Sequence, residues 1–153
     1  MRGTDRVLAA LHAKGVQPDV RRLEDSTRTA KDAAAALGCE VGAIASSLLF
    51  LAGDEPLLVM TSGAHRVDEE RVGVLVGAPL RRATPDEVRR HTGFAIGGVA
   101  PVGHPAPLRT LVDEALAGHE VVWAAAGHPH AVFATSYADL LTLTDGTAAV
   151  VGD

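Results

Sequence analysis

Apolar residues along this chain recur in two periods, and the breaks between them fall on residues that favour caps and turns. Val7, Leu8 and Leu11 lie on one face at helical spacing, with Thr4 placed to cap that helix and Gly15 to stop it. Residues 33–37 form a second short helix, opened by Thr29 and Asp32 as a capping box and closed by Gly38. Residues 19–23 read as a short strand, and residues 44–51 are an apolar run ending in the turn Gly53-Asp54-Glu55-Pro56. Residues 57–61 return from that turn, so the two runs predict a β-hairpin. Asp68 opens a short helix through Val72 and Leu75. Thr84-Pro85-Asp86-Glu87 opens another, with proline at the first helical position, and Gly93 ends it. Residues 108–112, 121–125, 131–135 and 147–151 read as strands; Asp113 caps a short helical piece, and Ser136 with Asp139 opens a last helix. Short strands and short helices mix without regular alternation. That predicts a single α+β domain over residues 1–153, with a mixed, mostly antiparallel sheet.

Composition narrows the picture. A chain of 153 residues can bury roughly two-thirds of its unfolded surface. With aromatics at 3%, its core must rest on Val, Leu, Ile and Ala. No apolar run approaches the ~20 residues that cross a bilayer, and no apolar segment of signal-peptide type follows Met1-Arg2-Gly3-Thr4-Asp5. The lone Cys39 excludes an internal disulfide and suits a reducing cytoplasm; after Gly38 it reads as a small buried plug. The expectation is a cytoplasmic protein with no membrane partner. A net charge of −5 gives no broad basic field and no DNA partner. The pairs Arg21-Arg22, Arg81-Arg82 and Arg89-Arg90 read first as solvated faces and second as contacts for a few phosphates.

The stretch Gly97-Gly98-Val99-Ala100-Pro101-Val102-Gly103-His104-Pro105 is the strongest chemical signal. Glycines let a ligand approach the main chain, and prolines fix the backbone around it. Gly93 to Gly98 gives only a loose glycine spacing, without the strand-then-helix context of a dinucleotide site. His128 and His130, two apart, make a three-ligand metal site only if His104 or Asp113 joins them. Ser62 lacks the strand–turn–helix elbow of a hydrolase serine, and His65 and Asp68 lie too close to it in sequence for a triad. What remains is amide-rich loops, the small hydroxyls of Ser46, Ser47, Thr61 and Ser62, and neutral histidines. That set suits ester chemistry, in which N–H groups hold an oxyanion and a histidine orders water.

Five segments, Ile44-Ala45-Ser46-Ser47-Leu48-Leu49-Phe50, Thr61-Ser62-Gly63-Ala64-His65-Arg66-Val67-Asp68, the run from Thr92 to Gly103, Val112-Asp113 and Ala125-Ala126-Gly127, resemble the YbaK/ProX family. Its members are free-standing relatives of the editing domain in bacterial prolyl-tRNA synthetases. The likeness runs from about residue 25 to the C-terminus. It implies a compact α+β fold with a curved mixed sheet and short flanking helices. It also implies hydrolysis, without metal or cofactor, of the ester joining a wrong amino acid to a tRNA 3′ end. An aminoacyl-tRNA synthetase is the second implied partner. By the same resemblance Gly97, Gly98, Pro101 and His130 form the catalytic set. Ser46, Ser62, Gly63, Arg66, Val99, Ala100, Gly127 and His128 hold the substrate, while Asp113 serves either the site or the fold. Small residues at Ala45, Ser47, Ala126 and Gly127 suggest a pocket for alanine, cysteine or serine.

One departure stands out. Ser46 occupies the position where active relatives carry lysine, in the pattern Ile-x-Lys-Ser-Leu-x-Phe. Either another cation takes over, with Arg66 nearest by motif, or the substrate differs, or activity has been lost. Two other classes stay open: a non-catalytic module that binds the aminoacyl-adenosine end, and a metal-dependent hydrolase built on His104, His128 and His130.

Overall fold

The structure is a computed structural model describing residues 2–24 and 29–153. The chain runs α1 (Arg2–Ala13), β1 (Val20–Arg22), α2 (Ala30–Leu37), β2 (Ile44–Ala52), β3 (Glu55–Ser62), α3 (Glu69–Val76), β4 (Leu80–Arg82), α4 (Pro85–Thr92), β5 (Arg109–Asp113), β6 (Val122–His128), β7 (Ala131–Thr135), α5 (Tyr137–Thr144) and β8 (Thr147–Ala149). Two single-turn 3₁₀ pieces, Val41–Ala43 and Glu114–Gly118, precede β2 and follow β5.

Cap chemistry sets most of the helix ends. Thr84 Oγ1 accepts from the Glu87 N–H at 3.2 Å while the Glu87 carboxylate accepts from the Thr84 N–H at 2.9 Å. This capping box, with Pro85 behind it, starts α4, and Gly93 at φ 78° stops it. Thr29, Asp68 and Ser136 cap α2, α3 and α5 through their side chains. Thr4 departs from expectation. Helix α1 already begins at Arg2, so Thr4 sits inside the first turn, and its buried Oγ1 has no hydrogen-bond partner among the described residues. Strand β4 was not legible as a strand: it is three residues long and two of them are exposed arginines. The closing strand stops at Ala149, and β6 runs on through a bulge between Ala125 and His128. Cys39 is half-buried rather than fully buried, and burial raises its thiol pKa.

The hairpin β2–β3 is the spine, paired antiparallel from Ala45↔Ser62 to Ala52↔Glu55. Among the described residues the eight strands form one mixed sheet, ordered β1-β7-β6-β2-β3-β5-β8, with β4 also on β2. Pairs β1–β7, β6–β7 and β2–β4 are antiparallel; β2–β6, β3–β5 and β5–β8 are parallel. The fold is α+β.

The main core covers one face of this sheet. Val7 and Leu11 of α1, Val88 of α4, Phe94, Val99 and Val102 of the loop after α4, and Leu140 of α5 close over Leu49, Met60, Val112, Ala124 and Phe133. The opposite face carries two separate clusters. Val72 of α3 packs with Phe50, Leu57, Val59 and Leu111, whereas Ala33 and Ala34 of α2 pack with Ile44, Trp123 and Val132. Between them runs a polar seam, Ser46 beside its cross-strand partner Thr61. No helix among the described residues is long and apolar enough to cross a membrane.

Candidate functional site

Strand β2 shares one edge between two neighbours, and they do not meet. Parallel β6 pairs with Ile44 and Ala45 only, and antiparallel β4 pairs with Phe50, Leu51 and Ala52 only. Residues 46–48 therefore have no strand partner on that edge among the described residues. A cleft of about 220 Å³ opens there. Its walls are β2 from Ile44 to Leu49, Ala30 and Ala33 of α2, and Trp123 and Ala125 of β6. Arg82 of β4 with Ala83 after it, Val88 of α4, Val132 of β7 and Ile96, Gly97 and Val99 of the glycine loop complete them.

The glycine loop enters the cleft by a tight turn. The Gly98 N–H donates to the Ala95 carbonyl at 3.0 Å, and Gly97 at φ 90° takes the position where glycine alone is unstrained. Ile96, at the tip of that turn, stays 52% exposed beside the opening. The only charged side chain in the lining, among the described residues, is the Arg82 guanidinium. It lies 5.7 Å from the centre of the Phe50 ring, on the seam face of the sheet. Its neighbour Arg81 is committed elsewhere, in a two-pronged pair with Glu87 at 2.9 Å on both contacts. Across the cleft on the same face, Arg21 of β1 lies over the Trp123 ring at 4.8 Å. Two arginines thus flank the open segment, each resting on an aromatic ring, Trp123 in the wall and Phe50 behind it in the core.

Of the residues singled out by sequence, Ala45, Ser46, Ser47, Gly97 and Val99 line this cleft. The others stand nearby or elsewhere. Gly98 packs on the His128 main chain, where a Cβ would meet backbone atoms at 3.1 Å, and its N–H is spent in the turn. Ala100 is fully buried, and its carbonyl lies 2.8 Å from His104 Nε2. Pro101 is buried and has no N–H to offer an oxyanion. Gly127, at φ 86°, backs onto Gly3 of α1 and lines a different cavity with Arg6 and Phe94. Ser62 Oγ donates to the Gly42 carbonyl at 2.9 Å, and Gly63 is wedged against Ala30 and Val41, so both brace the 3₁₀ piece before β2 and Gly63 also abuts the start of α2. Arg66 is exposed, with its carbonyl against Gly152 near the C-terminus, and does not reach the lining.

The histidines divide into two groups. His104 turns inward on Ala100 and Phe94, and burial pushes its pKa down despite that hydrogen bond. His128 Nδ1 accepts from the His130 N–H at 3.1 Å, which puts the proton of a neutral ring on Nε2. Burial first, then His130 and Arg22, lower its pKa. His130 Nδ1 sits 3.1 Å from the Leu23 carbonyl and ties the β6–β7 turn to the end of β1. Among the described residues, no three His, Cys, Asp or Glu side chains converge on one point, so His104, His128 and His130 do not form the metal triad held open by sequence.

Asp113 resolves to the fold. Its buried carboxylate accepts from the Ser62 N–H at 2.9 Å and the Ala115 N–H at 3.0 Å. The Thr61 hydroxyl approaches it at 3.4 Å, and His65 Nδ1 lies at 3.1 Å. The His65 N–H donates to the Ser62 carbonyl at 3.0 Å, while the partner of its ring is a residue 48 positions away.

Fold and cleft define a small α+β domain with a preformed slot edged by main chain, glycine loop and arginine. Comparison with known proteins gives this class its family. Residues 24–143 match the model of the aminoacyl-tRNA editing domain, and the chain belongs to that family. It is 33% identical over 110 residues to the uncharacterized protein YwhH of Bacillus subtilis, covering 71% of this chain and 70% of that one. It is also 33% identical over 91 residues to the proline–tRNA ligase of Nitratidesulfovibrio vulgaris, matching 59% of this chain but 16% of the ligase. Among solved structures, a candidate trans-editing enzyme for prolyl-tRNA synthetase superposes with a TM-score of 0.95 at 47% identity, covering 100% of this chain and 98% of that one.

Proposed function

We propose that this chain is a trans-acting deacylase that hydrolyses the ester of a small amino acid on a mischarged tRNA. The observation that carries this reading is the interrupted edge of β2, where a cleft of about 220 Å³ meets the glycine loop and a single arginine. Val88, Val99 and Ala125 in its lining support a preference for the side chain of alanine, serine or cysteine over larger ones. A missing or extra methylene changes such discrimination by only ~1–3 kcal/mol, so selectivity among these three is shallow. Arg82, which lines the cleft where Arg66 does not, is the cation we assign to stand in for the lysine that Ser46 replaces. Its guanidinium can take a terminal phosphate of the acceptor end by charge-assisted hydrogen bonds. Arg21, lying over the Trp123 ring of the far wall, offers a second contact.

In the reaction, water oxygen adds to the ester carbonyl carbon and the bond from that carbon to the ribose oxygen breaks. The ribose oxygen takes up a proton from the water, leaving free amino acid and an uncharged tRNA end. Main-chain N–H groups along the open edge of β2 and of Gly97 and Val99, the Gly98 N–H being spent in its own turn, are the donors we assign to the developing oxyanion, an effect of roughly 3–4 kcal/mol per donor. The lining contains no histidine, carboxylate or thiol among the described residues. That favours proton transfer through the neighbouring ribose hydroxyl of the substrate itself.

The same lack of a titratable side chain supports one second reading, a module that binds the aminoacyl-adenosine end without turnover. A panel of alanyl-, seryl-, cysteinyl- and valyl-tRNA separates the two. Hydrolysis of one or more of the first three above the no-enzyme rate, with valyl-tRNA spared, supports the deacylase. A flat panel together with binding of a non-hydrolysable alanyl-adenosine amide supports the module.

A further inference from the structure

Strand β2 presents a chemical group that its side chains do not reveal. Main-chain N–H and C=O groups of a strand address its two edges alternately. The Gly63 N–H donates to the Ile44 carbonyl at 2.8 Å, so even-numbered residues of β2 address β3. The Ala83 N–H donates to the Leu49 carbonyl at 3.1 Å, so odd-numbered residues address the edge shared by β6 and β4. Pairing with β6 ends at Ala45↔Ala124 and pairing with β4 begins at Phe50↔Arg82. Between them Ser47 turns its N–H and C=O together toward the cleft, without a ladder partner among the described residues. A main-chain donor and acceptor held side by side in a half-enclosed slot call for a ligand carrying the complementary pair.

An α-amino ester carries that pair. Its ammonium and its carbonyl flank one carbon, as the N–H and C=O of a strand residue do. We infer that the Ser47 main chain is the receptor for the α-aminoacyl group, which docks as a strand of one residue and fills the break in the sheet. The Ser47 carbonyl accepts from the α-ammonium and the Ser47 N–H donates to the ester carbonyl. The Ser47 side chain points to the main-core face, where its hydroxyl lies 3.1 Å from Met60 Sδ. Residues opposite each other across a ladder share a face. The amino-acid side chain is therefore directed to the same side, toward Val88 and Val99. This assignment rests on the editing reading above and specifies what it recognises: the free α-ammonium next to the scissile carbonyl.

The test uses the full chain and three substrates on one tRNA: L-alanyl, L-lactyl, whose hydroxyl replaces the ammonium, and N-acetyl-L-alanyl. Each rate is divided by its own no-enzyme rate, because the ammonium changes the intrinsic lability of the ester. The expected acceleration is about ten- to hundredfold smaller for lactyl than for alanyl, the span of a lost charge-assisted hydrogen bond, and is absent for N-acetyl-alanyl. Equal acceleration of all three overturns the inference while leaving the deacylase standing. If no ester is hydrolysed, the deacylase reading fails, and a titration of ¹⁵N-labelled protein with 3′-alanylamino-3′-deoxyadenosine still decides the slot. A shift of the Ser47 amide that 3′-amino-3′-deoxyadenosine does not reproduce upholds it, and an unmoved Ser47 amide removes it.

Discussion

Arg66 and Arg82 carry the same guanidinium, yet their surroundings give them different work. Arg66 follows a recognisable motif, which is why the sequence favours it; its carbonyl abuts Gly152 and the residue stands outside the cleft. Arg82 belongs to a pair that reads as a solvated face, because nothing in sequence tells which arginine of the pair is already matched. The structure does: Arg81 grips Glu87, and Arg82 reaches the cleft. Replacing Arg82 by alanine is expected to raise KM for alanyl-tRNA by about ten- to hundredfold, the loss of one charge-assisted contact. Arg66→Ala is expected to stay within about twofold, and steady-state kinetics on both variants checks the contrast. Asp113 makes a complementary case. As a buried acceptor for two N–H groups and His65, it ties β5 to the end of β3. Asp113→Asn should cost roughly 2–4 kcal/mol, a fall in melting temperature of roughly 5–12 °C; an unchanged melting curve would show that the carboxylate does not hold the fold.

At the scale of elements, local chemistry was legible wherever it was decisive. Thr84-Pro85-Asp86-Glu87 specifies a helix start from four neighbouring residues, and the hairpin of β2 and β3 follows from two apolar runs and a turn. Thr4 misled because a capping residue type does not say where the helix begins, and α1 continues back to Arg2. Strand β4 was missed because it exists through its partner: three residues become a strand by pairing with Phe50, Leu51 and Ala52. The capping box also gives a pH signature. Arg81 first, then the Thr84 N–H, hold the Glu87 carboxyl down at about 2 from an ordinary 4.5. A carboxylate whose pKa is lowered by folding stabilises the folded state above its ordinary value, and that share is lost as pH falls toward the folded value. Between pH 5 and 2.5 the melting temperature of the wild type should therefore fall more steeply than that of Glu87→Gln. Parallel declines would remove Glu87 from the acid response.

The whole molecule holds what no segment reveals. The cleft exists because β6 and β4, 40 residues apart at Arg82 and Val122, share one edge of β2 and stop short of each other. The glycine loop was visible as a loop, and Ser46 as a position of interest. That the loop's Gly97 and Val99 face an unpaired stretch of β2, while Ala100 and Pro101 face the core, depends on the packing of four distant elements. Charge behaves likewise. A net −5 repels a polyanion at long range, yet Arg21 and Arg82 flank the slot. Few phosphate contacts follow, so log(1/KM) should fall with log salt at a slope of about −1 to −2, and a slope much steeper would indicate a broader basic surface. The central claim is that chemistry happens in the break of the sheet. The most direct measurement compares alanyl-tRNA hydrolysis by the wild type and by Ser46→Phe, whose ring fills the cleft from a half-buried position. Hydrolysis by the wild type, with the variant reduced to the no-enzyme rate at an unchanged melting temperature, is the predicted result. Full activity in the folded variant would contradict the claim and move the site elsewhere.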